Sequence, residues 1–327
     1  MGDTLLKVAQ IGLEATRGTA VAATRKFYAK SIELDQDDGI DVNKQAGTGT
    51  YHHRRGVKKG LIEAGSKITM PLDVRQILEF FQMAIKGGVT GAQQATTTAY
   101  LWDWAPTLAT DDLKSATLEH NDSNKQWEMP FSMIDELTIK GAASNDEVEV
   151  EVSLFGKSKD EAALTGALAE FTIYPIQGWE AKLFIDALGA TAFTTNKVGT
   201  LIDYEWKVKN NLARKYFGDN TRSLSKISRG DVEVDLSLTL ETTTDANIEF
   251  SNYRSGTERL IGLELGNNRV IEGAYKEYVR LATPGVYTAA KLDEDNQTTV
   301  WKIEGKNLYD ATNAYPFKAS VMVPRSA

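Results

Sequence analysis

The sequence predicts a mainly β protein built as two tandem antiparallel β-sandwich domains, each with one flanking α-helix and a long β-hairpin arm. Three observations lead there. First, several segments alternate strictly: in Asp231–Glu241 the residues Val232, Val234, Leu236, Leu238 and Leu240 point one way, while Asp231, Glu233, Asp235, Ser237 and Thr239 point the other. Second, short helical patterns follow such strands directly. Third, the order strand, long polar loop, strand, helix occurs twice. Alternating strands separated by turn residues indicate antiparallel sandwiches and not βαβ units.

At 327 residues the chain can hold two ordinary domains, each with its own core. The division falls in the polar, alanine-rich connector Lys157–Ala169, giving an N-terminal domain over 1–168 and a C-terminal one over 169–327. The first 25 residues, small and polar after Leu5–Ile11, suit an extended arm better than a core element. Strands are expected at Tyr28–Asp35 and Leu61–Met70, joined by a charged loop far longer than an ordinary hairpin turn. Pro71–Lys86 reads as a helix, with Asp73 and Gln76 as a capping box and Val74, Ile77, Leu78, Phe81, Ala84 and Ile85 as its apolar stripe.

Further strands are expected at Ala116–Glu119, Lys125–Met133, Leu137–Lys140 and Val148–Phe155. The second half continues with Trp179–Asp186, Leu201–Lys209, a polar arm Asn210–Gly230, and Asp231–Glu241. A short helix follows, started by Thr242 and Asp245 and stopped by Gly256. The remaining strands fall at Leu260–Leu265, Tyr275–Leu281, Val300–Glu304 and Phe317–Val323.

A formal net charge of −8 argues against a dedicated nucleic-acid binder or a polybasic membrane-surface protein. With no cysteine there is neither a disulfide nor a thiolate metal site. The N-terminus lacks a basic stretch followed by an apolar one, so no signal peptide is expected. Nor is a membrane anchor, since no apolar run reaches the roughly 18–20 residues that span a bilayer. Phosphate loops, nucleophile elbows and zinc-protease helices are absent from the sequence, and neither a catalytic residue nor a cofactor is assigned.

Two residue groups stand out. The loop tip carries Lys44, Tyr51, His52, His53, Arg54, Arg55, Lys58 and Lys59, and the second arm carries Arg214, Lys215 and Arg222. The first of these is either a docking arm for an acidic or nucleic-acid surface or a solubilising tip. Rows of carboxylates, Glu147, Glu149, Glu151 and Asp231, Glu233, Asp235, stand at strand spacing. They form either an ordinary wet face or a wall built to repel polyanions. Trp102 and Trp104 are either core aromatics or a sugar-stacking platform.

Several stretches together resemble the major tail tube proteins of long-tailed bacteriophages. These are IGLEATRGTAVAATRKFYAKSIEL at 11–34, the polar hairpin arm, MPLDVRQILEFF at 70–81, WDWAPTLATDDLKSATLEHND at 102–122, and the two-domain layout. The resemblance implies a non-enzymatic, self-assembling virion protein, made in the host cytoplasm and incorporated into the tail. Sandwich domains would close into rings, here trimers with pseudo-sixfold symmetry, that stack into a hollow tube with arms bridging successive rings. It further implies a tape measure protein as partner during assembly, tail terminator and distal tail proteins at the ends, and phage DNA passing through without specific binding. On that reading the two basic arms make the inter-ring contacts and the acidic rows line the lumen. A β-sandwich adhesin or carbohydrate-binding virion protein is the alternative.

Overall fold

The computed structural model describes residues 7–44, 51, 54–106, 112–122, 125–295 and 298–324. The first half runs β1 (Ala9–Leu13), β2 (Arg25–Lys26), β3 (Ser31–Asp37), β4 (Ile40–Lys44), β5 (Arg54–Lys59) and β6 (Glu63–Pro71), then helix α1 (Ile77–Ala84). After it come β7 (Ala92–Gln93), β8 (Tyr100–Trp104), β9 (Ala116–Asn121), β10 (Gln126–Ala142), β11 (Glu149–Gly156) and β12 (Asp160–Glu161). The second half has β13 (Ala181–Ala187), β14 (Leu201–Lys209), β15 (Ala213–Lys215), β16 (Lys226–Ser228) and β17 (Glu233–Glu241), then helix α2 (Thr244–Ser255). Next are β18 (Arg259–Leu265), β19 (Val270–Glu272), β20 (Tyr275–Lys276), β21 (Tyr278–Asp295), β22 (Thr298–Asn307) and β23 (Lys318–Val323). The chain is mainly β, with large antiparallel sheets.

One sheet crosses the whole molecule in the order β3–β6–β11–β10–β14–β17–β22–β21. The long strands β10 and β21 each belong to two sheets. The first part of β10 turns away to pair with β9 and β12, and β9 carries β1 and β2. The first part of β21 pairs with β18 and β23, with β13 beyond β18 and β8 then β7 beyond β23.

The ladders of the two halves therefore match strand for strand: β3 with β14, β6 with β17, β9 with β18, β10 with β21 and β11 with β22. Even the irregularities match. The register slips between Ile134 and Glu136 against β11, and between Tyr287 and Ala289 against β22. A bulge bends its strand and strengthens the local twist, so each half turns its sheet at the corresponding place.

The alternating strands pack as their pattern requires. Val234, Leu236, Leu238 and Leu240 are buried, as are Val150, Val152 and Leu154 on β11. They join a core that runs through both halves and includes Trp206, whose indole N–H donates to Thr283 Oγ1 at 3.0 Å. Trp102 and Trp104 lie within this core and stack on each other, so neither offers a platform to a sugar.

Several expectations need correction. The N-terminal stretch is not merely an arm: β1 is a buried strand beside β9. Buried carboxylates then tie down the small, polar segment after it. Glu14 accepts from Gly18 N, Phe131 N, Ser115 Oγ and Thr117 Oγ1, and Glu119 accepts from Ala23 N and Thr165 N. Helix α1 is shorter than predicted because Asp73 and Gln76 do not cap it. Asp73 accepts from Arg75 N and Tyr174 N, while Gln76 donates to Pro71 O and accepts from Tyr28 N. In α2 the cap is Thr243, accepting from Ala246 N, while Thr242 donates to Thr299 O and Asp245 pairs with Lys197. Gly256 does end that helix, at a left-handed φ of 65°. β21 extends far beyond the expected Leu281, through Pro284 and Gly285. Those apparent breakers sit where the strand changes from the β18–β23 sheet to β22, near the point at which its partner set turns over.

Buried phenols give the fold a pH limit. Burial pushes the Tyr287 hydroxyl well above its ordinary value of 10.0, and the Glu249 charge adds to this. Burial likewise raises Tyr204, Tyr278 and Tyr315. A raised folded pKa means the folded state holds its proton longer, so this stability is complete below pH 10 and is lost as pH rises beyond it. Melting temperature is expected to fall steeply above pH 10, with phenolate absorbance from these residues appearing together with loss of the native circular dichroism. Their ionisation near pH 10 in the still-folded protein would contradict this.

Candidate assembly surfaces

The eight-strand sheet has one face on the core and one in water. The register places Glu149, Glu151, Glu233 and Asp235 on the wet face, where Glu33, Asp35, Glu205, Asp293 and Glu304 join them. The carboxylates are not left to repel one another. Lys140 Nζ lies 3.2 Å from Glu149 and 2.6 Å from Glu151, Lys207 lies 2.6 Å from Glu136, and Lys209 lies 2.5 Å from Asp235. Lys306 reaches Glu233 at 3.4 Å and Asp235 at 3.8 Å. Hydrogen bonds to Glu151 and Asp235 respectively hold Lys140 and Lys209 above the ordinary lysine pKa. Such half-exposed pairs contribute little stability each but keep the face hydrated and acidic in balance.

Two of the predicted acidic residues lie outside the strands, although Glu147 still borders the same depression as Glu149 and Glu205. Glu147 precedes β11, faces Lys30 at 3.1 Å, and bridges Gln177 through its backbone. Asp231 precedes β17 and is exposed, its carbonyl accepting from Asn211 Nδ2. Sequence reasoning missed the interleaved lysines because they lie on neighbouring strands, which only the register brings alongside.

The two arms differ. The first, β4 against β5, stands out with Lys44, Arg54, Lys58 and Lys59 exposed and Tyr51 fully so. Ile40 and Val57, each 64% exposed, put an uncovered apolar patch near its root. His52 and His53 lie outside the described residues, and Arg55 is assigned only by its place in β5.

The second arm, β15 against β16, lies down on the first half of the chain. Leu224 and Ile227 are buried with Phe131, Met133 and Phe155, and Leu212 packs against the same cluster. Arg214 pairs with Glu63 at 3.1 Å over the Phe155 ring, and Tyr216 Oη donates to Ile62 O. Arg222 donates to Gly60 O at 2.7 Å and to Asp38 O, while its own carbonyl accepts from Ile62 N. Of the second arm's predicted contact residues, Lys215 remains exposed. The apolar residues at 212, 224 and 227 are what fold this arm down.

The roots of both arms are built alike. Gly60 N donates to Gly39 O, and Gly230 N to Asn211 O. Gly39 (φ 55°) and Asn211 (φ 46°) both take the left-handed conformation that glycine and asparagine accept most readily.

Two strand edges complete the surfaces. Among the described residues β3 pairs only with β6, and β21 pairs beyond Gly285 only with β22. No three His, Cys, Asp or Glu among the described residues are grouped to hold a metal ion. Among the described residues no helix is long and apolar enough to cross a membrane. Comparison with protein-family models and with curated proteins finds no match for this chain.

Proposed function

We propose that this chain is a structural subunit of a bacteriophage tail tube, with two tandem tail-tube-like sandwich domains over 1–168 and 169–327. The observation that carries the reading is the continuous eight-strand sheet. It consists of two matching sets of four strands, wet on one face and open at both edges. An edge exposing unpaired backbone groups is an aggregation hazard in a monomer and a joint in an assembly. Three copies joined edge to edge give a wall of about 24 strands, roughly 115 Å around at about 4.8 Å per strand. That corresponds to a backbone diameter of about 37 Å before strand tilt, wide enough for a duplex of about 20 Å.

On this reading the wet face lines the lumen. Its carboxylates give phosphates no foothold, and DNA slides through during genome ejection. The basic tip of the first arm reaches the next ring. A tape measure protein occupies the lumen during assembly, and terminator and distal tail proteins close the ends. The adhesin alternative loses its stacking platform, since Trp102 and Trp104 are buried.

Negative-stain microscopy of concentrated protein is expected to reveal rings or tubes. Deleting Gln45–Lys58 is expected to leave folded subunits that no longer stack. Protein that stays monomeric at every concentration, with or without added tail-tip complexes, counts against the proposal. Normal tubes from the deletion count against the arm's role in stacking.

A further inference from the structure

The joint between the two halves of one chain is a worked example of a contact that the chain leaves unmade at its ends. Within the chain, the second part of β10 pairs with β14: Glu136 opposite Lys209, Thr138 opposite Lys207, Ile139 opposite Trp206. Because the ladders match, β10 corresponds to β21 and β14 to β3. The bulges fix the numbering. Ile134 corresponds to Tyr287, and so Thr138 to Lys291 and Ile139 to Leu292. On the other strand Asp203 and Ser31 stand opposite the corresponding Thr239 and Thr69, so Trp206 corresponds to Leu34 and Lys207 to Asp35.

The same comparison covers the arms. Arg214 stands opposite Ile227 and Val42 opposite Val57, so Ile227 corresponds to Val57 and Leu212 to Ile40. Burial differs sharply between the made and the unmade contacts. Ile139 is fully buried, while Leu292 is 50% exposed. Ile227 is 6% exposed, while Val57 is 64% exposed. Ile139 and Ile227 are covered within the chain by the other half of the same fold, whereas their counterparts Leu292 and Val57 are bare; Leu34, the counterpart of Trp206, is already buried at 6% exposure.

We infer that a second copy of this chain docks head to tail by repeating the internal joint residue by residue, arm root included. β3 of the second copy adds to the free edge of β21, antiparallel, with Lys291 opposite the second copy's Asp35 and Leu292 opposite its Leu34. The root of the second copy's first arm then lies sideways on the second half of the first copy. Its Ile40 and Val57 cover the place around Val286 that corresponds to Met133. Only the arm tip is left for contacts along a tube. The charges suit this register. Lys291 meets a carboxylate, and the like pair of Asp293 with Glu33 is offset by Lys302, 2.8 Å from Asp293, and by Lys67, opposite Glu33. Lys159 Nζ donates to Leu34 O in the single chain, and that carbonyl keeps a second lone pair for the incoming strand. The joint rests on the internal match alone; its closure into a ring of three rests on the tail-tube reading.

The absence of cysteine makes the register directly measurable. The full chain carrying Lys291→Cys with Asp35→Cys, or Ala289→Cys with Asp37→Cys, is oxidised at high concentration and run on a non-reducing gel. Both in-register pairs are expected to give a covalent ladder ending at three copies. The offset pairs Lys291→Cys with Glu33→Cys and Lys291→Cys with Asp37→Cys are expected to cross-link at least tenfold less, since diagonal neighbours lie about 7–8 Å apart. Adding Val57→Asp to an in-register pair is expected to cut the yield about tenfold without changing the melting temperature of the single chain. Equal yields in all registers, or in-register pairs that stay reduced, overturn the joint even if tubes are seen. An unchanged yield with Val57→Asp overturns the sideways docking of the arm. In-register ladders that run on without stopping at three support the joint and overturn the closed ring of the tail-tube reading.

Discussion

Glu249→Ala is expected to destabilise the protein by about 3–5 kcal/mol, the range found when one partner of a buried charge pair is removed. Glu249 is 1% exposed yet sits in helix α2, where the sequence pattern gives no reason for a buried acid. Its carboxylate accepts from Arg259 Nε at 3.2 Å and Nη2 at 3.0 Å, from Tyr287 Oη at 3.1 Å and from Asn252 Nδ2 at 3.1 Å. One side chain thus ties α2 to β18 and to the bulge of β21. Alanine leaves a half-buried guanidinium and a buried phenol without their acceptor. Chemical denaturation of the single variant measures the loss. The triple variant Glu249→Leu, Arg259→Met, Tyr287→Phe is expected to recover most of it, because removing all the polar groups leaves nothing unpaired. A loss below about 1 kcal/mol in the single variant refutes this account.

The second large effect is on DNA. Changing Glu149, Glu151, Glu233 and Asp235 together to lysine takes the formal net charge from −8 to about zero and turns the wet face basic. The variant is expected to bind duplex DNA without sequence preference, losing on the order of 10²–10³ in affinity between 50 and 200 mM salt if about four to six phosphates are contacted. The natural protein is expected to show no measurable binding under the same conditions in fluorescence anisotropy. The fold should tolerate the change, because the pairs lost with Lys140, Lys209 and Lys306 are exposed and contribute about 0–1 kcal/mol each. A variant that binds DNA no better than the natural protein excludes this face as the one that governs DNA contact.

Strands with one wet face were legible because their side chains alternate. Leu201–Lys209 is observed with the expected limits, and β11, β17 and β23 differ from expectation by one or two residues. What could not be read is whatever depends on a partner far along the chain. β1 has too few residues to reveal a period, and its burial comes from β9. The second arm reads as polar in composition, whereas its Leu212, Leu224 and Ile227 find their cluster only in the folded chain. Of the two candidate surfaces, the acidic rows were visible as rows but their lysine counterparts were not. Cross-strand neighbours on different strands leave no local pattern. The bare apolar root of the first arm, Ile40 and Val57, was hidden within a segment whose charge dominates its composition.

The pairing of β8 with β23 also sets the order in which the molecule can be completed during synthesis. Asp103 on β8 meets Lys318 on β23 across 215 positions of sequence. At about 5–20 residues per second the ribosome needs on the order of ten to forty seconds to supply that partner. For that interval the β8 edge beside Trp102 and Trp104 has no strand to pair with, and contacts of such long range form late in any case. A chain that stops before β23 is therefore expected to expose this edge and to associate through it, where the complete chain does not.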